Sequence, residues 1–100
     1  MPVKGRRCVL EGKAVHTPER FYGELSAQLS FPGHFGRNLD ALWDVLTADI
    51  EGPVEVVWKD PESSRKAMGP DFERIVEVLR KVAGKRKDFR LRLVSGSKRP

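Results

Sequence analysis

Asp40 and Asp44 are the residues of this sequence whose type and spacing most directly suggest chemistry. They lie four positions apart in GRNLDALWDVL, residues 36–46, a stretch with the apolar periodicity of an amphipathic helix. On a helical wheel both fall beside the apolar stripe, on a flank that we expect to be exposed. Two carboxylates one turn apart repel each other at a cost of a few tenths of a kcal/mol. Such a pair can support metal binding, acid–base catalysis or the recognition of a partner.

Metal binding or catalysis by this pair needs further ligands, and the sequence offers only His34 nearby. That histidine lies in the loop FPGHFG, residues 31–36, which no Lys-Ser/Thr pair follows as in a phosphate-binding loop. Neither a G-x-S-x-G nor an H-E-x-x-H motif is present. Cys8 is the only cysteine, so no internal disulfide is possible, and its apolar neighbours predict a buried thiol. We therefore predict a protein that is not an enzyme, with no catalytic residues, no metal site and no cofactor.

The charge of the chain is unevenly distributed. The net charge is +5, yet residues 38–64 contain seven acidic side chains and one basic side chain. Residues 65–100 contain twelve basic side chains and four acidic ones. The sequence therefore predicts an acidic middle within a basic surround. On composition alone, Asp40 could simply favour a helix N-terminus, and Asp44 could be a solvated surface charge.

Length and composition indicate one cytoplasmic domain. The 100 residues are enough for one core, and 39% are hydrophobic while 33% are charged. No apolar run approaches the roughly 20 residues of a membrane helix, and the basic first residues lack the apolar stretch of a signal peptide. We expect residues 1–95 to form a single domain, residues 96–100 to form a flexible C-terminal tail, and no association with a membrane.

Three helices are predicted from apolar residues that recur at helical spacing. The first begins with Thr17 as N-cap, followed by proline, and ends near Ser30. The second begins near Asn38, and the third covers residues 71–83 and ends at Gly84. Their apolar stripes are, in order, Phe21, Leu25 and Leu29; Leu39, Leu42, Trp43 and Leu46; and Phe72, Ile75, Val76 and Leu79.

Three strands are predicted between these helices, at residues 5–12, 52–58 and 88–94. A short helix or turn is predicted at residues 61–69. The third strand alternates apolar and basic residues, which predicts one solvent-exposed face or edge. Arg90 and Arg92 would lie on the exposed side, and Phe89, Leu91 and Leu93 on the other. Strands that alternate with helices indicate an α/β domain, a small three-stranded parallel sheet covered by helices.

The stretch FPGHFGRNLDALWDVLTADI, residues 31–50, followed by GPVEVVW, residues 52–58, resembles the barstar family of intracellular ribonuclease inhibitors. The resemblance covers a loop, the acidic helix and the next strand with the same spacing, and NLDALWD matches at seven consecutive positions. It implies a barstar-like fold and an immunity-type function. The protein would inhibit a ribonuclease or related toxin domain stoichiometrically, blocking a cationic active site with the acidic helix. It also implies a monomer when free.

The resemblance also assigns roles to residues. Asp40 and Asp44 match the family's two acidic contact residues on this helix, where carboxylates stand in for the phosphates of RNA. His34 lies in the binding loop, where its imidazole either titrates near physiological pH or is simply solvated. Trp58 matches a core aromatic of the family. Further positions on the same binding surface are Asn38, Leu39, Trp43 and Thr47.

Four outer positions depart from the best-known family member. His34 replaces a tyrosine, Ala48 a glycine and Asp49 a tryptophan. Lys81, in the third helix, replaces an acidic contact. Either the partner is a different ribonuclease or toxin domain with an acidic spot opposite Lys81, or the fold is kept for another ligand.

The alternative function is nucleic-acid binding through the basic C-terminal third. Phosphate contacts need such a cluster of cations, here Lys81, Lys85, Arg86, Lys87, Arg90 and Arg92. Modules for single strands also use exposed aromatic residues, and the only one close by, Phe89, is expected to face inward. A third alternative is a structural or regulatory domain without a ribonuclease partner.

Overall fold

The computed structural model describes residues 5–95, so residues 1–4 and the predicted tail, 96–100, lie outside the described residues. The elements follow in the order β1 (Arg6–Glu11), α1 (Pro18–Leu29), α2 (Leu39–Asp44), β2 (Val54–Lys59), α3 (Pro61–Met68), α4 (Pro70–Lys85) and β3 (Phe89–Val94). Helix α2 continues directly into a π-helical segment, Val45–Asp49, which we call the π turn. The three strands form one parallel sheet, and the predicted α/β fold is confirmed. Within residues 5–95, no helix is both long and apolar enough to cross a bilayer.

The sheet has the strand order β1-β2-β3, and its two faces differ in chemistry. On one face Glu55 lies between Arg7 and Arg92 of the neighbouring strands, with N···O distances of 3.4 and 3.5 Å. Parallel sheets usually have both faces covered, whereas these arginines are exposed. The opposite face carries core side chains that are at most 4% exposed: Cys8, Leu10, Val54, Val56, Trp58 and Phe89.

The Cys8 thiol is enclosed in this core, as predicted, and is 0% exposed. Burial, with a smaller contribution from the negative charge of Glu24, raises the pKa of Cys8 to about 12. Because the thiolate is the reactive form of cysteine, the folded protein holds this side chain as a packed apolar group.

Trp58 is the largest side chain of the core and is 0% exposed. Its ring stacks on Phe21 at 5.3 Å between centroids and meets Phe72 edge-on at 5.1 Å. The indole N–H donates to Ser64 Oγ at 2.9 Å, and that hydroxyl donates to Gly12 O at 3.3 Å, so the buried polar groups are paired. The packing role predicted for Trp58 is confirmed. The stripe residues Phe21, Leu25, Leu29, Leu42, Leu46, Ile75 and Leu79 are at most 2% exposed.

The ends of two helices show how local chemistry sets their length. Helix α1 ends at Leu29 with Ser30 in the left-handed region at φ 56°, close to its predicted end. Helix α4 runs through Gly84 to Lys85, two residues beyond the predicted helical stretch of residues 71–83. The backbone N–H of Arg86 still donates to Val82 O at 2.8 Å, which closes one more turn.

Strand β3 is less buried than its alternating sequence predicts. Phe89 is 4% exposed, but Leu91 is half-buried and Leu93 is 36% exposed. The strand lies at an edge of the sheet and pairs only with β2 among the described residues. Apolar side chains on its carboxyl half therefore lack the neighbours that cover a central strand.

Arg86 connects the end of α4, the π turn and the start of β3 in an arrangement that we call the Arg86 clamp. Its Nη1 donates to the carbonyl oxygens of Leu46 at 2.6 Å and Ile50 at 2.8 Å. Its Nε and Nη2 donate to the two carboxylate oxygens of Asp88 at 2.8 and 2.9 Å. A Cβ at Gly52 would meet the Arg86 guanidinium and the Asp88 carboxylate, so a larger residue there would displace the ends of both side chains of the clamp. Arg86 was named in the basic cluster of the alternative function, but its side chain is only 13% exposed and its charge is paired with Asp88.

Replacing Arg86 with alanine is expected to lower the free energy of unfolding by about 2–4 kcal/mol, because two carbonyls lose a charged donor. The matched control is Arg80→Ala on the exposed side of α4, expected to change it by less than about 0.5 kcal/mol. Urea unfolding followed by tryptophan fluorescence measures both. Equally small changes in the two variants would contradict the clamp.

The clamp should also weaken in acid. The hydrogen bonds from Arg86 hold the pKa of Asp88 below its ordinary value of 3.8. A carboxylate with a lowered folded-state pKa stabilises the fold above its unfolded-state pKa and loses that effect as the pH falls through the folded-state pKa. The stability difference between the wild type and Asp88→Asn should therefore be full at neutral pH and shrink as the pH falls below 3.8. Urea unfolding across this range tests the claim, and a difference that grows in acid would refute it.

Candidate partner-binding surface

An aromatic pair anchors the loop before α2. The ring centroids of Phe31 and Phe35 lie 4.9 Å apart in an edge-to-face contact, and Phe35 meets Tyr22 of α1 at 5.8 Å. The backbone N–H of Phe35 donates to Pro32 O at 3.0 Å, which closes a turn. His34 lies within this turn with an exposed side chain. The loop therefore presents His34 to solvent from an anchored backbone.

Asn38 organises the first turn of α2. Its Oδ1 accepts a hydrogen bond from the backbone N–H of Ala41 at 2.8 Å, and its Nδ2 donates to Gly36 O at 3.4 Å. The preceding residue, Arg37, lies in the left-handed region at φ 54° and turns the chain into the helix. Both polar groups of the Asn38 side chain are thus engaged within the chain. Its structural role is to fix where α2 begins.

Asp40 and Asp44 are both exposed on α2. Neither forms an ion pair with another of residues 5–95. Asp40 lies in the first turn, where the helix dipole favours a carboxylate by about 0.3–1 kcal/mol. Asp44 ends α2 and lacks this benefit. The surface therefore carries two negative charges, and of the two carboxylates Asp44 is the less stabilised by its surroundings.

The π turn extends α2 beyond Asp44 with a wider backbone. The N–H of Ile50 donates to Val45 O, five residues earlier, at 3.1 Å. The hydroxyl of Thr47 donates to Trp43 O at 2.7 Å, so its proton is used within the chain. The amphipathic pattern did not predict this wider turn, which recurs in proteins at functional sites.

Leu39 and Trp43 contribute the apolar part of the surface. Both are half-buried, with one side packed against the core and the remainder open to solvent. Residues 40, 43, 44 and 47 follow helical spacing, so their side chains share one flank of α2 and the π turn. A small groove of about 110 Å³ beside Leu39 is lined by Pro18, Tyr22, Leu39, Asp71, Arg74 and Ile75.

The outer positions that depart from the family's pattern lie around this flank and on α4. Ala48 and Asp49 are exposed in the π turn. Lys81 is also exposed, and its Nζ lies 3.7 Å from Glu77 Oε2 one turn earlier on α4. Part of the positive charge of Lys81 is therefore balanced within the chain.

The basic cluster of the C-terminal third is smaller than the sequence implied. Arg86 belongs to the clamp, Arg92 pairs with Glu55, and Lys81 pairs with Glu77. Three members of the cluster form no ion pair with any of residues 5–95: Lys85, Lys87 and Arg90.

Sequence reasoning missed the parts that hold the surface in place. The Arg86 clamp was not foreseen, since the arginine and the carbonyls that it binds lie 36 and 40 residues apart. The aromatic anchors carried a signal, a Phe-x-x-x-Phe spacing around Pro32 and His34. In the part of the chain that the structure describes, no group of three or more His, Cys, Asp or Glu side chains is placed to hold a metal ion.

Comparison with known proteins agrees with this geometry. The family described as "Barstar (barnase inhibitor)" matches residues 6–94, which include every element of the fold. The chain is also 34% identical over 83 residues to a Bacillus subtilis (strain 168) protein named "Putative ribonuclease inhibitor YrdF". That alignment covers 83% of this chain and 91% of the relative. With its three-stranded parallel sheet and its acidic α2, the chain belongs to the barstar family.

Proposed function

We propose that this protein inhibits a ribonuclease, or a related toxin domain, by binding over its cationic active site one-to-one. The observation that carries the proposal is the pair of exposed carboxylates, Asp40 and Asp44, which no basic side chain of residues 5–95 neutralises. Family membership and the name of the Bacillus subtilis relative support it.

The mechanism is competitive binding, with no covalent bond made or broken. A ribonuclease active site holds phosphates with Arg, Lys or His side chains, and the two carboxylates occupy the same positions. In the free protein Asp40 and Asp44 repel each other. In the complex each meets a positive charge, so the repulsion is relieved at the moment of binding. Asn38 and the Arg86 clamp keep the helix ordered beforehand, which lowers the entropy lost on association.

The other predicted contact residues surround this charged centre. Leu39 and Trp43 supply apolar area that excludes water around the carboxylates, as interfaces commonly do around their hot spots. Thr47 continues the same flank, and His34 contacts the partner from the loop edge. Lys81 sets a preference for a partner that carries an acidic group opposite α4. The protein acts in the cytoplasm and is a monomer when free.

Neutralising Asp40 and Asp44 together is expected to remove partner binding. Affinity capture from host lysate should use three baits: the wild type, Asp40→Asn/Asp44→Asn, and Lys85→Gln/Lys87→Gln as the matched control. The wild type and the lysine variant should retain one small basic ribonuclease, and the aspartate variant should not. Nucleic acid held equally by the wild type and the aspartate variant, and lost from the lysine variant, would instead support the basic cluster.

With the captured enzyme in hand, Asp44→Asn alone should weaken binding by about 30-fold or more, the size typical of a hot spot. The free energy of unfolding should change by less than about 0.5 kcal/mol, because the side chain is exposed and unpaired. Calorimetric titration and urea unfolding measure the two quantities. A large loss of stability with unchanged affinity would show that Asp44 is structural.

Association should depend on salt because opposite charges steer the two proteins together. The on-rate should fall as the ionic strength rises and the Debye length shrinks from about 30 Å at 0.01 M to about 10 Å at 0.1 M. Stopped-flow fluorescence across this range tests the claim. The Asp40→Asn/Asp44→Asn variant should have a flatter dependence, and an equally steep one would assign the steering to other charges.

A further inference from the structure

The two edges of the parallel sheet are protected differently. At the β1 edge, the side-chain amide of Gln28 in α1 accepts from Val9 N at 2.9 Å and donates to Val9 O at 3.0 Å. The Gln28 side chain thus occupies the outward-facing backbone groups of Val9, at the middle of the edge that a further strand would use. No corresponding contact covers the β3 edge among residues 5–95.

The ladder geometry shows which backbone groups of β3 are free. Val54 N donates to Asp88 O at 2.7 Å, and Asp60 N donates to Val94 O at 2.9 Å. The even-numbered residues of β3 therefore direct their backbone N–H and C=O groups towards β2. By the alternation of a parallel ladder, Leu91 and Leu93 direct their N–H and C=O groups away from the sheet. The same strand carries the two large apolar side chains that are most exposed in the described chain, Leu93 at 36% and Val94 at 37%.

We propose that the free edge of β3 is a docking site for an extended acidic segment of a partner protein, which adds to the sheet as a fourth strand. Main-chain hydrogen bonds to Leu91 and Leu93 would give affinity, as in other cases of strand addition. The register fixes the sequence of the segment. Residues beside Arg90 and Arg92 on the charged face are acidic, and residues beside Leu91 and Leu93 on the other face are apolar, so the two types alternate.

Charge and the absence of exposed aromatic rings on β3 favour this occupant over two others. A second copy paired antiparallel about Leu91 would place Arg90 opposite Arg92, and one paired about Arg92 would place Arg92 opposite Arg92. Like charges directly opposite destabilise a strand pair. Proteins that bind single-stranded nucleic acid commonly stack its bases on exposed aromatic rings. On β3 the only aromatic residue is Phe89, which is 4% exposed. Arginine guanidinium groups bind carboxylates strongly and bidentately, and Arg90 forms no ion pair with any other described residue.

Amide hydrogen exchange of the full chain, resolved by residue with NMR, tests the proposal. The probe is a pool of synthetic octapeptides with Asp or Glu at odd positions and Val, Ile or Thr at even positions. The pool should slow exchange at Leu91 and Leu93 by about tenfold or more, as expected when a free edge becomes hydrogen-bonded. Val9, whose edge is already occupied, should be unchanged.

Three controls make the test specific. The same peptides N-methylated at alternate residues keep their charge but lose one hydrogen-bonding edge, and they should give no protection. Peptides with Lys in place of the acids should also give none. Arg90→Glu should abolish the effect, whereas Arg80→Glu on α4, which changes the net charge equally, should preserve it. Absence of protection by the acidic pool, equal protection by the N-methylated or lysine peptides, or protection by an oligouridylate instead would overturn the proposal.

Discussion

The guanidinium of Arg86 ties the π turn to the junction between α4 and β3, which lies 36 to 40 residues later in the chain. It holds the π turn through the carbonyls of Leu46 and Ile50, and it meets Asp88 just before β3. The carboxylates of the binding surface lie on a helix too short to be stable alone, since isolated helices below about 12 residues are marginal in water. The position of that helix therefore depends on attachments at both ends, the Asn38 cap and the Arg86 clamp.

The proposed function would place a constraint on stability in this fold. The proposed binding surface carries Asp40 and Asp44, which no basic side chain of residues 5–95 pairs with, although the chain has a net charge of +5. A sequence optimised only for the folded state would neutralise one of these acids or place a lysine beside it. On the charged face of the sheet the charges are paired within the chain, because Glu55 forms ion pairs with both Arg7 and Arg92. The two surfaces thus differ in whether their charges are paired among residues 5–95, and a partner that balances Asp40 and Asp44 is part of the proposed function.

Sequence reasoning was most accurate where the determinants are local. Thr17 and Asn38 were identified as caps because a cap needs only the next three residues, and the apolar stripes located Leu42 and Leu46 in the core. It failed where contacts between residues distant in sequence determine whether a side chain is buried or exposed. Arg86 has the same local pattern as an exposed arginine, and the exposure of Leu93 follows from its place at the sheet edge. The contact roles proposed for Asp40, Asp44 and their neighbours remain predictions.

The burial of Cys8 makes the chain its own reporter of conformational opening. Its thiol is 0% exposed on the face of β1 that packs against the core, and its pKa is about 12. Reagents in solution therefore reach the thiol only when the sheet separates from its helices. The rate of thiol modification would then measure the frequency of that opening, without any label or substitution. A second cysteine placed on the surface could also be conjugated selectively while Cys8 stays in place.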